Sequence, residues 1–285
     1  MSALDPRTTP ARADLAALHL RGKVKADRFV EGVIHRVVEA SAPLRHASSA
    51  DAPLDSEALH GEEVTIYETS DEGWCWGQLA GDGYVGYLPA NALARGATGA
   101  THRIAALRAL VFPAPDIKAP PIAALPFTSR VKIVRNEKSF GVTDGGGFIP
   151  ATHLAPLAAI ERDYVATARR FLGAPYLWGG RTSLGLDCSG LVQISLQAAG
   201  IECPRDSDMQ AKLGREVAFS GDLAALARGD LICWQGHIGL VADGVRLLHA
   251  NAFHMQTVEE PLAAAIARIK RSGSDVIAVR RLKGA

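Results

Sequence analysis

The sequence has few cysteines, and they are widely spaced. Four occur among 285 residues, and no two of them form a Cys-x-x-Cys pair. This spacing argues against a disulfide framework and predicts reduced thiols. The four are Cys75, Cys188, Cys203 and Cys233. The chain is long enough for two or three domains, with the apolar and charged content of a globular protein.

Strong net charge and long apolar runs are also missing. A formal net charge of +1 leaves no electrostatic signature for nucleic acid or an anionic membrane, so neither partner is expected. The apolar stretch 15–20 is shorter than the roughly 7–15 residues of a secretory signal core or the roughly 20 of a membrane span. Asp5, Arg7, Arg12 and Asp14 interrupt the residues before it. We therefore expect a cytoplasmic protein.

One of the four cysteines lies at the start of a predicted amphipathic helix. Leu191, Ile194 and Ala198 follow the spacing of one apolar helix face, and Gly200 marks the end. Cys188 then lies in the first turn, where unpaired backbone N–H groups favour an anion. The pKa of its thiol, about 8.5 when free, is expected to fall toward neutrality or below.

Two histidines on predicted neighbouring strands complete a catalytic pattern. His237 opens one strand, His249 lies in the next, and a turn at Asp243 and Gly244 would join them as a hairpin. His237 could accept the thiol proton while His249 orients its ring. Two other interpretations remain open: the cysteine and His249 as core residues, or all three side chains as zinc ligands without a closely paired fourth.

Four motifs in order give this region a family resemblance. They are LGAPYLWGGR at 172–181, DCSGL at 187–191, RGDLI at 228–232 and GHIGLV at 236–241. The region, about 160–281, resembles the NlpC/p60 cysteine peptidases. The resemblance implies a papain-like fold that cleaves bacterial cell-wall peptides between γ-D-glutamate and a diamino acid. It also implies Cys188 as nucleophile, His237 as base and His249 as the orienting residue.

Upstream, the chain contains an internal repeat. The segment GYVGYLPANAL at 83–93 is echoed by GGFIPATHL at 146–154, and each follows short alternating runs broken by Gly, Asp and Pro. Such runs predict small all-β barrels, and the repeated ending resembles bacterial SH3-like domains. The predicted fold class is therefore α+β, with two SH3-like barrels before a papain-like domain. The predicted domains are a helical arm at 1–40, barrels at 41–97 and 98–156, and the peptidase at 157–285.

Relatives with this domain order use the first barrel to close one end of the cleft, so that only peptides with a free amino terminus fit. By this resemblance Tyr84 faces the cleft, and Asp206 and Ser207 hold the substrate ammonium group, although the latter two could equally be a helix N-cap. Asp187 and Ser189 line the subsite beside the scissile bond. Tyr176 lies near the thiol. Trp74 and Trp76 share a strand face and could be a ligand platform or barrel packing.

The sequence thus predicts a peptidase, without cofactor or metal, that cuts murein peptides carrying a free N-terminal L-alanine during cell-wall peptide recycling. Three alternatives remain. Cys188 and His237 could instead catalyse an amidase or acyltransferase reaction on another amide. The chain could also be a non-catalytic peptide-binding protein, or a zinc enzyme that chelators inactivate. The oligomeric state is not predicted.

Overall fold

The computed structural model describes residues 4–282, and the chain divides into two compact units, Met1–Ala159 and Ile160–Ala285. The second unit begins at Ile160, close to residue 157, where the peptidase region was predicted to begin. Within the described residues, no helix has both the length and the apolar character needed to cross a membrane.

Strands and short 3₁₀ turns build the first half of the first unit. The strands are β1 (Leu15–Ala17), β2 (Arg28–Val30), β3 (Val33–Val37), β4 (Ser41–Arg45), β5 (Leu54–Leu59), β6 (Glu63–Thr69), β7 (Trp74–Leu79), β8 (Val85–Pro89) and β9 (Leu93–Arg95). Strands β3 to β9 form one antiparallel sheet in the order β5-β4-β8-β7-β6-β3-β9. Side chains alternate between the core and the surface along β8, as expected for a barrel wall.

The predicted helical arm at residues 1–40 is wrong. Strands β1 and β2 pair in parallel, a 3₁₀ turn follows β1 at Leu18–Leu20, and β3 belongs to the sheet of the first barrel. The first barrel therefore begins before the predicted residue 41. The Leu15–Leu20 stretch has apolar residues in succession, which suits a strand buried on both faces as well as a helix. Leu15, Ala16 and Ala17 are fully buried.

The second half of the first unit repeats the all-β pattern. Its strands are β10 (His102–Ile104), β11 (Arg108–Val111), β12 (Ala123–Pro126), β13 (Arg130–Val131), β14 (Ile133–Glu137), β15 (Phe140–Thr143), β16 (Phe148–Pro150) and β17 (Leu154–Pro156). They form small sheets in the orders β13-β10-β17, β11-β12 and β14-β15-β16. In both halves of the repeat the ending segment supplies a strand followed by a 3₁₀ turn, at Ala90–Ala92 and Ala151–His153.

The second unit combines helices with one large sheet. Its elements are α1 (Tyr164–Arg169), β18 (Arg181–Thr182), β19 (Gly185–Leu186), α2 (Cys188–Ala198), α3 (Ser207–Gln210), β20 (Arg215–Glu216), β21 (Leu231–Trp234), β22 (His237–Val241), β23 (Arg246–Asn251), β24 (Gln256–Pro261), α4 (Leu262–Arg271) and β25 (Val276–Arg281). The antiparallel sheet has the order β20-β25-β21-β22-β23-β24, and α2 packs against β22 and β23. Helices and an antiparallel sheet in one chain confirm the predicted α+β class.

Helix α2 has the predicted start and a more complete burial than predicted. It runs over Cys188–Ala198, and Gly200 follows with a φ of +75°, which favours glycine. The expected single apolar face is wrong, because residues on every side of the helix are buried. Two of its polar side chains donate internal hydrogen bonds: Ser195 Oγ to the carbonyl of Leu191 at 2.7 Å, and Gln193 Nε2 to that of Cys203 at 3.2 Å.

Candidate active site

The nucleophile candidate, Cys188, is the first residue of α2. Asp187 caps this helix: its Oδ1 accepts from the backbone N–H of Gly190 at 2.7 Å, and its Oδ2 accepts from that of Gly179 at 2.8 Å. The carboxylate therefore ties the helix start to the preceding glycine turn. Gly190 is required there, because a Cβ at this position would lie 2.3 Å from the carbonyl oxygen of Gly180.

The surroundings of the Cys188 sulfur favour the neutral thiol. Burial, followed by the charge of Asp187, raises the pKa of the thiol to about 12, although the backbone amides of Ile238 and Ser189 act to lower it. This direction is opposite to the lowered pKa that the helix start led us to expect. The free-energy cost of removing a thiolate from water is larger than the stabilisation that the N–H groups of the first helical turn give it. Helix α2, which begins at Cys188, packs against β22, the strand that begins at His237.

The two histidines form the predicted hairpin pair. Strands β22 and β23 pair with Leu240 opposite Leu248, and His237 Nε2 lies 2.8 Å from His249 Nδ1. The His237 ring also lies against Trp234, with ring centroids 5.6 Å apart. Burial, then the neighbouring His249, lowers the pKa of His237 to about 3. Neutral His237 can therefore act as a proton acceptor at physiological pH.

Sequence reasoning missed the groups behind His249. Its Nε2 lies 2.8 Å from Glu260 Oε1 and 3.0 Å from Asn251 Nδ2. Glu260 is in turn bound by the guanidinium of Arg268, with Nη1 2.6 Å from Oε2. Strand pairing explains the contact, because His249 is opposite Val258, which places Glu260 two residues along on the same sheet face. Only the register of β23 and β24 carries this information.

Sequence reasoning also missed a buried arginine, which contacts the two residues that flank the nucleophile. Arg205 is 1% exposed, its Nη1 and Nη2 lie 2.9 and 2.7 Å from the two Asp187 oxygens, and Nη1 donates to Ser189 Oγ at 2.8 Å. Asp187 and Ser189 are themselves 6% exposed. Their contacts are internal, so their predicted role in lining a subsite remains a prediction. The sequence Pro-Arg-Asp-Ser gave no sign that the arginine is buried.

Tyr176 is close enough to Cys188 and Asp187 for their charges to act on its hydroxyl. Its backbone N–H donates to the carbonyl of Met255 at 3.0 Å, and the residue forms a β-bridge with Leu186, just before the helix cap. Burial, then the proximity of Cys188 and Asp187, raises the pKa of the Tyr176 hydroxyl. The hydroxyl therefore stays protonated and can donate a hydrogen bond.

Asp206 and Ser207 lie at the start of α3, close to the nucleophile helix. The neighbouring Arg205 contacts Asp187, and Gln210 Nε2 donates to the carbonyl of Ser189 at 3.0 Å. Both predicted ammonium ligands are half-buried. Among the described residues, the Asp206 side chain accepts no capping hydrogen bond from α3, so the alternative of a simple N-cap is not supported.

In the first barrel, Tyr84 lies in the hydrophobic core, and its predicted role at the cleft remains a prediction. Its side chain is buried, since the residue is only 7% exposed. Trp74 and Trp76 line a cavity of about 370 Å³ in this barrel. Trp76 is 3% exposed because the Arg12 guanidinium lies over its ring at 4.4 Å, on the face of β7 opposite Cys75 and the barrel core.

One group of side chains in the described residues has the spacing of a metal site. It consists of His249, His254 and Glu260, whose ligand atoms lie within 4.8 Å of one another. Cys188 is outside this group. The zinc alternative that joins the cysteine with both histidines therefore gains no support from the geometry.

Comparison with known proteins extends the resemblance. A family model described as the bacterial dipeptidyl-peptidase Sh3 domain matches residues 44–93, and the NlpC/P60 family model matches residues 173–268. The chain is 34% identical over 113 residues to a γ-D-glutamyl-L-lysine dipeptidyl-peptidase of Bacillus subtilis (strain 168), covering 37% of this chain and 38% of that protein. A Bacillus cereus (ATCC 10987) protein of the same name is 28% identical over 203 residues, 63% of this chain and 59% of that one. These alignments span less than two thirds of either relative.

A solved structure gives the corresponding result for the fold. The crystal structure of an NlpC/P60 family protein from Bacillus cereus ATCC 10987 aligns with 87% of this chain and 99% of its own, with a TM-score of 0.73 and 20% identity. The α+β fold with a papain-like second unit is therefore confirmed. The match to the NlpC/P60 family model over residues 173–268 includes the cysteine and both histidines of the site.

Proposed function

We propose that this chain is a cysteine peptidase that hydrolyses the bond between γ-D-glutamate and a diamino acid in murein peptides with a free N-terminal L-alanine. One observation carries the proposal: α2, whose first residue is Cys188, packs against β22, whose first residue is His237, and that histidine is hydrogen-bonded to His249 at 2.8 Å. Nucleophile, base and orienting group follow one another in this order. The relatives' names supply the bond and the substrate class.

The reaction begins from neutral partners, since burial holds both the thiol and the imidazole uncharged. His237 accepts the thiol proton as Cys188 attacks the γ-carbonyl of D-glutamate. Backbone N–H groups at the start of α2 face the resulting oxyanion. His237 then protonates the leaving amine, and water hydrolyses the thioester with the same imidazole as base. Dipeptide and diamino acid are released.

The amino end of the substrate is assigned to Asp206 and Ser207. A carboxylate and a hydroxyl suit an ammonium group, and half-burial strengthens the attraction by lowering the local dielectric. The ties from Arg205 and Gln210 to Asp187 and Ser189 keep this pair close to Cys188. The Tyr176 hydroxyl is assigned to the substrate beside the scissile bond.

The test is release of L-alanyl-γ-D-glutamate from L-alanyl-γ-D-glutamyl-diaminopimelate. Wild type should release it, and Cys188→Ala should lose at least about 10³-fold in rate. Cys233→Ala is the matched control, since Cys233 is a second fully buried cysteine in the same unit, on strand β21. Equal rates for wild type and Cys188→Ala would contradict the proposal.

The same assay separates the alternatives. N-acetylation of the peptide should abolish hydrolysis if a free amino terminus is needed, whereas an amidase or acyltransferase acting on another amide would be insensitive to it. A protein that only binds peptide would release no product. A chelator should leave the rate unchanged and a thiol alkylator should remove it. A cytoplasmic site of action, with recycling as its purpose, belongs to this proposal and is tested by cell fractionation.

A further inference from the structure

We propose that Glu260, held by Arg268, is a positioning residue that fixes the tautomers of both imidazoles, so that an unprotonated ring nitrogen of His237 faces Cys188. This inference rests on the proposed function, because it concerns how the base is prepared. Glu260 touches neither the sulfur nor the attacked carbonyl in that mechanism. It acts through His249.

The hydrogen-bond chain has a direction that Glu260 sets. A neutral imidazole carries one N–H donor and one acceptor nitrogen. The Glu260 carboxylate accepts only, so His249 Nε2, 2.8 Å away, must carry the hydrogen. His249 Nδ1 is then an acceptor and takes the Nε2–H of His237 at 2.8 Å. The remaining nitrogen of His237, Nδ1, has a free lone pair for the thiol proton.

A hydrogen bond donated by Asn251 to His249 would reverse the direction of the hydrogen-bond chain. Asn251 Oδ1 accepts from the backbone N–H of His254 at 2.9 Å, which turns Nδ2 toward His249 Nε2 at 3.0 Å. If Asn251 donated to that nitrogen, His249 would donate from Nδ1, and His237 Nδ1 would carry a hydrogen and could not act as a base. A hydrogen bond to an ionised carboxylate is roughly twice as strong as one between neutral groups. Glu260 therefore decides the order.

Arg268 keeps the carboxylate ionised and aimed. Its two terminal nitrogens bind the two oxygens of Glu260, at 2.6 and 2.5 Å, and its guanidinium lies 4.5 Å from the centre of the Phe253 ring. Burial raises the pKa of Glu260, but hydrogen bonds from Arg268 and His249 outweigh burial and lower this pKa to about 2. The carboxylate thus stays an acceptor across the working range of pH.

Nitrogen-15 NMR of the histidine rings in the full chain tests this inference directly. In wild type, both His249 and His237 should be neutral with the hydrogen on Nε2. In Glu260→Gln, the side-chain amide can donate as well as accept, so His249 should shift toward the Nδ1–H form. The rate constant kcat should fall by about 10² with little change in KM, because general base catalysis is lost. Glu260→Asp keeps a carboxylate. Where this carboxylate reaches His249 Nε2, the variant should regain part of the wild-type tautomer and part of the wild-type kcat.

Glu259→Gln is the matched control. Glu259 is the neighbouring acid and binds Arg169 and Arg246 at 2.7 and 2.9 Å, away from His249. This variant should keep the wild-type tautomers and a kcat within about twofold. A wild-type spectrum with hydrogen on His237 Nδ1 would overturn the inference, as would a Glu260→Gln variant with unchanged tautomers and kcat. These spectra need no substrate, so they remain decisive if the wild type hydrolyses no murein peptide.

Discussion

Arg205 and Asp187 form a bidentate ion pair inside the second unit, with N···O distances of 2.9 and 2.7 Å and side chains that are 1% and 9% exposed. The pair lies beside the nucleophile, because Asp187 caps the helix that begins with Cys188. We expect Arg205→Met to lower the free energy of unfolding by about 3–5 kcal/mol, since it leaves a buried carboxylate unpaired. Urea unfolding followed by circular dichroism measures this.

The control for the arginine substitution is an exposed ion pair in the same unit. Lys270 and Asp275 are 3.0 Å apart, with side chains 68% and 72% exposed. Lys270→Met should change the free energy of unfolding by less than about 1 kcal/mol. If both variants lost similar free energies of unfolding, the burial of Arg205 would not make its ion pair more stabilising than an exposed one.

The pKa of the nucleophile can be tested by alkylation. Because burial raises the pKa of the Cys188 thiol to about 12, the rate of reaction with iodoacetamide should rise continuously from pH 6 to 9. Cys188→Ala supplies the background from the other cysteines. A fast rate that is constant from pH 5 to 8 would instead indicate a stable thiolate–imidazolium pair, and would restore the sequence-based expectation.

Acid should destabilise the fold through His237. Its pKa is lowered from an ordinary 6.5 to about 3 in the folded chain, so between these values only the unfolded chain binds the proton. Stability from this group is complete above about pH 7 and falls as pH drops from 6.5 toward 3, by up to about 1.4 kcal/mol per pH unit. Urea midpoints across this range should show a steeper slope for wild type than for His237→Asn. Parallel slopes would contradict the prediction.

A glycine on the strand of the base gives a geometric test. A Cβ at Gly239 would lie 2.7 Å from Leu247 Cδ1 and 3.1 Å from His249 Cβ. Gly239→Ala should displace His249 and reduce kcat by about tenfold, as expected when a catalytic geometry shifts by a fraction of an ångström. Gly81→Ala is the control, since a Cβ there meets nothing within 4 Å. The assay is dipeptide release, with thermal unfolding in parallel.

The sequence alone determined the elements whose signals are local. Gly200 ends α2 where predicted, and the turn at Asp243 and Gly244 sets β22 beside β23, because helix ends and tight turns depend on neighbouring residues. The order of the cysteine and two histidines followed from these elements. The packing of α2 against β22 is a tertiary contact, which the family resemblance implied and no local signal determined.

Only the tertiary structure decided what depends on burial and on distant strands. Glu260 reaches His249 through the register of β23 and β24, and Arg205 is buried against Asp187 across eighteen positions of sequence. Burial also placed Tyr84 in a barrel core and turned the pKa of Cys188 upward. Desolvation is set by every atom packed around a group, so it can be read only when the whole fold has brought those atoms together.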